Sequence, residues 1–371
     1  MRKLCTAAFA VSMLLSVASA CAQNTPVAPA CAAGHGQLDE KGYVAIGGIE
    51  QWVTIKGSSC ANPVVLVVHG GPGNPLSAYS DAIYAGWTGD FTVVQWDQRG
   101  SGKTYGRNPP APDTPLTIDR LTRDGVAVAD YVRHRLAKQK VIVFGSSWGS
   151  ILAVNMAKAQ PALFSAYLGS SQVVGYRQNL PVTYARLLAQ ARASGDQESL
   201  AVLDSVGAPP WTDPRSFGKV RRVIRKYEAA VTTPPPDQWW NAAPEYETAR
   251  AKADYDAGED YSFLNFVGLH GDGMFSQVDL PALGTDFAMP VFLVQGAQDL
   301  LTTPDVTQPY FDSIKAPQKA MVTVPHAGHD PNQPMVDAQF RLLKERILPL
   351  ACNDVPCSRN SPAIRAIAGD R

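Results

Sequence analysis

Charge bias is missing from this 371-residue chain: Lys and Arg total 33, and so do Asp and Glu. That balance favours neither nucleic acid nor an acidic membrane surface as a partner, and no local run of basic residues offsets it. Histidine and cysteine number six each, with no zinc-type spacing, so no metal site is implied. Internal repeats and long low-complexity tracts are absent from the sequence. The N-terminal apolar stretch, residues 9–17, is too short for a membrane span. What is present, 45% hydrophobic and 18% charged residues, is globular composition with ample core. The length allows one large α/β domain or two.

The first 22 residues read as a secretory signal. Arg2 and Lys3 supply positive charge, residues 9–17 the apolar segment, and Ala18-Ser19-Ala20-Cys21-Ala22 the small residues around a cleavage site. An exported protein, periplasmic or secreted, is expected, carrying two more acidic than basic residues once Arg2 and Lys3 are gone. Cys5 leaves with the signal. Cys21 either leaves too, after cleavage at Ala22, or becomes the lipid-bearing first residue of a lipoprotein. That lipid is the one membrane contact foreseen. Cys31, Cys60, Cys352 and Cys357 remain, and an oxidising compartment permits their pairing. Cys31–Cys60 and Cys352–Cys357 are favoured, with the other two pairings open.

Beyond the signal, residues 23–40 are rich in Ala, Pro, Gly and Gln and read as a linker. Strand-like runs follow at 42–46, 51–56, 64–68 and 91–95, enriched in β-branched residues and separated by turn formers. Apolar residues at helical spacing occupy 116–136, and strand-like runs recur at 141–144, 166–169, 290–295 and 320–324, with a final helix over 334–348. This alternation predicts an α/β fold: a mostly parallel, doubly wound sheet with helices on both faces. Residues 173–287 lack long β-branched runs and carry the Pro234-Pro235-Pro236 break. They read as a helical cap inserted between two strands. The expected division is signal 1–22, linker 23–40, core 41–172, cap 173–287, core 288–350 and tail 351–371.

The chemistry centres on Gly145-Ser146-Ser147-Trp148-Gly149, which follows the apolar run Val141-Ile142-Val143-Phe144 and precedes a helix-compatible stretch. Strand, G-x-S-x-G and helix in that order make a nucleophile elbow, with the glycines expected to permit the sharp turn. A serine hydroxyl needs a base and a group to orient it. In a doubly wound sheet these cluster on loops at the carboxyl ends of strands. Asp299 stands just after the run 291–295, and His329 just after 321–324. Ser147 is therefore the expected nucleophile, His329 the general base then acid, and Asp299 the holder of the imidazole tautomer. Ser146, Ser150, His326, Asp305 and Asp279 are rivals with weaker placement. The glycine-rich loop His69-Gly70-Gly71-Pro72-Gly73 follows the strand 64–68. The Gly71 N–H, paired with that of Trp148, is the expected oxyanion hole. Nucleophile, base and oxyanion donors are all protein groups, so no cofactor is implied.

Three motifs in order, His69-Gly70-Gly71-Pro72-Gly73, Asp97-Gln98-Arg99-Gly100-Ser101-Gly102 and Gly145-Ser146-Ser147-Trp148-Gly149-Ser150, resemble those of the proline iminopeptidase (prolyl aminopeptidase) family of α/β-hydrolases. The resemblance covers roughly residues 45–170 and 288–349. It implies the α/β-hydrolase fold, Asp299 and His329 as acid and base, and a structural Asp97–Arg99 ion pair buttressing the site. It also implies that cap glutamates hold the substrate's α-amino group. Glu228, in Tyr227-Glu228-Ala229, and Glu259, in Glu259-Asp260-Tyr261-Ser262-Phe263, are the matching positions, although the His-Tyr-Phe that follows the family's second Glu is not reproduced. The expected activity is a serine hydrolase acting through an acyl-enzyme, an aminopeptidase releasing N-terminal proline or a similar residue from a small peptide. Alternatives are a carboxylesterase acting on small acyl esters and a non-catalytic periplasmic binding protein on a hydrolase scaffold. Oligomeric state is left open.

Overall fold

The computed structural model describes residues 31, 36–111 and 114–353. The leader, Cys21 and Cys357 lie outside the described residues. The strands are β1 Leu38–Ile46, β2 Ile49–Gly57, β3 Val64–Val68, β4 Thr92–Trp96, β5 Val141–Ser146, β6 Phe164–Ser170, β7 Val291–Gly296 and β8 Lys319–Val324. They form one sheet in the order β1-β2-β4-β3-β5-β6-β7-β8. β2 pairs antiparallel with both β1 and β4, and every pairing from β4 to β8 is parallel.

Helices connect the strands. α1 Ser80–Ile83 precedes β4, and α2 Gly102–Arg107 and α3 Ile118–Arg135 lie between β4 and β5. α4 Trp148–Ala159 joins β5 to β6. α5 Tyr176–Ser194, α6 Gln197–Val206, α7 Pro214–Ala229 and α8 Ala249–Val267 are inserted between β6 and β7. α9 Pro304–Ser313 crosses to β8, and α10 Gln333–Leu342 and α11 Leu348–Asn353 follow it. Among the described residues no helix is long and apolar enough to cross a membrane.

The central strands are continuous apolar runs because both faces are covered. Val64, Leu66 and Val68 of β3 join a core with Leu121, Val128 and Val132 of α3. Val65 and Val67 point the other way, into a core with Trp87, Phe144 and Leu343. In the insertion, Val220, Val223, Ile224 and Tyr227 are the buried stripe of α7, spaced three and four residues apart.

Two boundaries depart from the sequence expectation. β1 begins at Leu38, inside the expected linker, because its start is an edge strand with Asp39, Glu40 and Lys41 in place of an apolar signal. At the other end α10 continues through a π-helical turn, Leu343–Ile347, into α11, so the expected tail begins within helix. Cys31 is bonded to Cys60, with Cα atoms 5.6 Å apart.

The loop after β4 also departs from expectation. Asp97 and Arg99 do not pair. Asp97 is buried and accepts from Ser77 Oγ at 2.5 Å and from the Lys103 amide at 2.9 Å. Arg99 turns instead to Asp124 of α3, with Nε at 2.7 Å and Nη2 at 3.2 Å, and donates to the Gly47 carbonyl. Gly47 and Gly48 form the β1–β2 turn with positive φ, so this pair fastens the hairpin to the layer above it. Side-chain exposure is 1% for Asp124 and 17% for Arg99. Asp124→Ala strands a mostly buried guanidinium and is expected to cost about 3 kcal/mol in urea denaturation. A loss well below 1 kcal/mol contradicts this role.

Candidate active site

Ser147 occupies the residue between the end of β5 and the start of α4, with φ 52° and ψ −121°. This is a conformation that L-residues avoid, at a cost of about 1–3 kcal/mol. Fixed contacts hold it there. The Ser147 amide donates to the Ser170 carbonyl at the end of β6 (3.0 Å). Its own carbonyl accepts from the Ser150 amide (2.8 Å) and from Ser150 Oγ (2.6 Å).

The flanking glycines do something other than expected. Neither has positive φ; the serine itself carries the turn. A Cβ on Gly149 would lie 1.9 Å from the Val68 carbonyl oxygen, and one on Gly145 would lie 2.4 Å from that of Gly149. The glycines therefore let the first turn of α4 pass against the ends of β3 and β5. Ser150, a rival nucleophile, is buried and further engaged by Gln172 Nε2 and the Val173 amide.

His329 Nε2 lies 2.8 Å from Ser147 Oγ, and its Nδ1 lies 3.2 and 3.1 Å from the two oxygens of Asp299. His329 is 6% exposed and Asp299 1%. Four further donors converge on Asp299. The amides of Leu301 and Thr302 bond Oδ1 at 2.9 and 2.7 Å, and Thr302 Oγ1 and Gln295 Nε2 bond Oδ2 at 2.6 and 2.9 Å. Burial pushes this carboxyl up, but His329 and the Thr302 donors outweigh it and hold the pKa below the ordinary value. An ionised Asp299 fixes the imidazole proton on Nδ1 and leaves Nε2 free to accept from the serine hydroxyl.

The rivals fall away. His326 is exposed, with its ring near the Val231 carbonyl. Asp305 pairs with Arg186, and Asp279 is at the surface. Thr302 and Gln295 carried no sequence signal strong enough to single them out, although Asp299-x-x-Thr302 is the spacing of a local side-chain turn.

The glycine-rich loop is tied to the elbow through the loop after β4. His69 accepts the Gln98 amide on Nε2 (3.2 Å) and bonds the Gly70 carbonyl through Nδ1 (2.9 Å). Burial lowers its pKa to about 4, so the ring is neutral. Gln98 Nε2 donates to the His69 carbonyl, and its Oε1 accepts from Trp148 Nε1 (3.0 Å). One glutamine thus joins all three sequence motifs. A Cβ on Gly70 would lie 3.4 Å from Ser147 Cβ. Gly71 follows with φ +107°, a conformation that favours glycine. Trp148 opens α4, where its amide has no intrahelical acceptor.

The two expected amine anchors end in different places. Glu228 is 6% exposed and already engaged: Oε1 accepts from the Leu300 amide (2.8 Å) and Oε2 from the His329 amide (3.0 Å). Each oxygen of this expected amine anchor thus already accepts from one backbone donor. Glu259 is exposed on α8, with its Cα 2.7 Å from where a Gly73 Cβ would be. Its backbone stands beside the glycine loop. A cavity of about 280 Å³ lies between the start of α2 and residues 242–256, lined by Pro75, Tyr79, Tyr246 and Tyr255, with Asp97 and Lys103.

Residues 63–332 match the family model of the α/β hydrolase fold. A probable aminopeptidase of Bacillus subtilis, YbaC, is 27% identical over 296 residues, covering 78% of this chain and 90% of the relative. A probable proline iminopeptidase of Streptomyces coelicolor is 26% identical, covering 80% and 90%. The crystal structure of the proline iminopeptidase of Mycobacterium smegmatis superposes with a TM-score of 0.57 at 21% identity, covering 85% of this chain and 96% of that one.

The neutral His69 has a thermodynamic signature. Unfolding restores its ordinary affinity for protons, so this residue's contribution is complete above pH 6.5 and is lost as pH falls towards 4. Relative to the parent, His69→Gln should show a shallower loss of stability between pH 6.5 and 4, by up to about 3 kcal/mol. Parallel denaturation curves at all pH values contradict the neutral, buried ring.

Proposed function

The chain belongs to the α/β-hydrolase fold family, and from that premise we propose that it is a serine hydrolase of the proline iminopeptidase kind, with Ser147, His329 and Asp299 as its catalytic residues. The observation that carries this reading is the continuous chain of contacts from Ser147 Oγ through His329 to a buried Asp299. Ser147 Oγ attacks the carbonyl carbon of the scissile bond while His329 Nε2 takes its proton. The Gly71 and Trp148 amides receive the developing oxyanion. As the intermediate collapses, His329 returns the proton to the departing amine and the C–N bond breaks, leaving the acyl group on Ser147. Water, deprotonated by His329, then attacks the ester, and the acid leaves with the serine hydroxyl restored.

An N-terminal residue, proline preferred, is the proposed acyl portion. Support comes from the relatives, a probable aminopeptidase and a probable proline iminopeptidase, and from the exposed Glu259, whose backbone lies beside the glycine loop and whose carboxylate suits an α-ammonium group. A second reading, a carboxylesterase for small acyl esters, gains support from Glu228. Of the two motif-matched glutamates, Glu228 is engaged by two backbone amides, which leaves Glu259 to meet an amine. Export is part of the same proposal, supported by the leader-like pattern of residues 1–22 and in keeping with the Cys31–Cys60 bond.

Kinetics with a chromogenic prolyl amide and a chromogenic acyl ester test these readings. Ser147→Ala should lower kcat about 10⁴-fold or more on whichever substrate is cleaved; retained activity removes Ser147 as the nucleophile. Glu259→Gln should raise KM about tenfold for the amine-bearing substrate and leave the ester unaffected. An equal effect on both contradicts amine recognition by Glu259.

A further inference from the structure

The catalytic reading leaves unused a buried carboxylate that touches both loops of the acid–base pair. Glu228 lies in the last turn of α7, in the helical insertion and not in the sheet scaffold. Its Oε1 binds the amide of Leu300, the residue after Asp299, and its Oε2 binds the amide of His329 itself. A single side chain from the insertion thus bridges the loop after β7 and the loop after β8. The approach is close enough that Gly328 is needed for it: a Cβ there would lie 2.6 Å from Glu228 Oε2. The helix end is fixed in turn, since the Val231 and Thr232 amides bond the Glu228 carbonyl and the Thr233 amide bonds that of His326.

Resting on the serine-hydrolase reading, we infer that Glu228 is a positioning residue. It sets the separation of the Asp299 and His329 loops from the insertion and so couples the placement of that insertion to the reactivity of Ser147. A carboxylate suits this role because both oxygens accept, which no other side chain of this length offers.

Among the described residues, the cations nearest this helix end pair with other carboxylates. Arg221 and Arg225 on the same helix face Asp330, and Lys226 and Tyr227 face Asp196. Asp299 and His329 are the ionisable groups that meet Glu228 from the two loops. Burial, followed by the Asp299 charge, raises the carboxyl to about 7 against the opposing pull of His329 and the two amides. Below that pH the carboxyl takes a proton, and a protonated oxygen no longer serves as a full acceptor for its amide.

Glu228→Gln preserves shape but turns one acceptor into a donor facing an N–H. Gly328→Ala leaves Glu228 in the sequence and pushes its carboxylate away. Both variants are compared with the parent at a temperature where circular dichroism shows all three folded, using the rate of phosphonylation of Ser147 by a fluorophosphonate and kcat on an uncharged ester. A loss of about 10- to 100-fold in each, with KM for the ester little changed, is expected. The acid limb of kcat/KM should be less steep in Glu228→Gln than in the parent. Unchanged phosphonylation and ester turnover, with a defect confined to amine-bearing substrates, overturns the positioning role and restores Glu228 as an amine anchor. Lowered thermal stability with unaltered rates also overturns it, by reducing Glu228 to a structural brace. Failure of the folded parent to be phosphonylated at Ser147 overturns the hydrolase reading and this role with it.

Discussion

A charge buried at 1% exposure is the constraint around which this site is built. Asp299 would be costly in the interior if left bare. The chain answers with donors from the strand end (Gln295), from the loop itself (the Leu301 and Thr302 amides) and from the Thr302 hydroxyl, just before α9. These leave the anion one directional task, to hold the Nδ1–H of His329. The imidazole then has a defined tautomer, and its other nitrogen meets Ser147 at hydrogen-bond distance. Remove the shell around Asp299 and the order of the whole relay is lost.

The second requirement is that Ser147 be held out of the ordinary backbone regions. Ser147 accepts a left-handed φ because its carbonyl and amide are both secured, and because Gly149 lets α4 start directly against β3. The same closeness brings the glycine-rich loop onto the elbow, and Gln98 locks the two together. The sheet supplies position in this way, and the insertion between β6 and β7 lies outside that scaffold. Glu228 makes that division incomplete: a residue of the insertion reaches through to both loops of the acid–base pair.

Much of this was legible in the sequence. Buried parallel strands must be apolar on both faces, so the runs over β3, β5 and β7 announce themselves, and Asp299 and His329 stand in the loops that follow β7 and β8. Other features were hidden for identifiable reasons. The start of β1 carries charges because it is an edge strand. The partner of Arg99 lies on α3, 25 residues away in the chain, so the nearer Asp97 looked the better match. The roles of Gly145, Gly149 and Gly328 depend on which backbone or carboxylate approaches them in space. Glu228 was read from its motif as an amine anchor, but a motif cannot show whether its oxygens face a cavity or two amides.

The central claim is that a covalent acyl group passes through Ser147. Its most direct measurement is acid quenching of the protein during turnover of an activated ester, followed by peptide mapping by mass spectrometry. One acyl adduct per chain, on Ser147, is expected. Turnover with an adduct on another residue, or an accumulating intermediate with Ser147 unmodified, contradicts it.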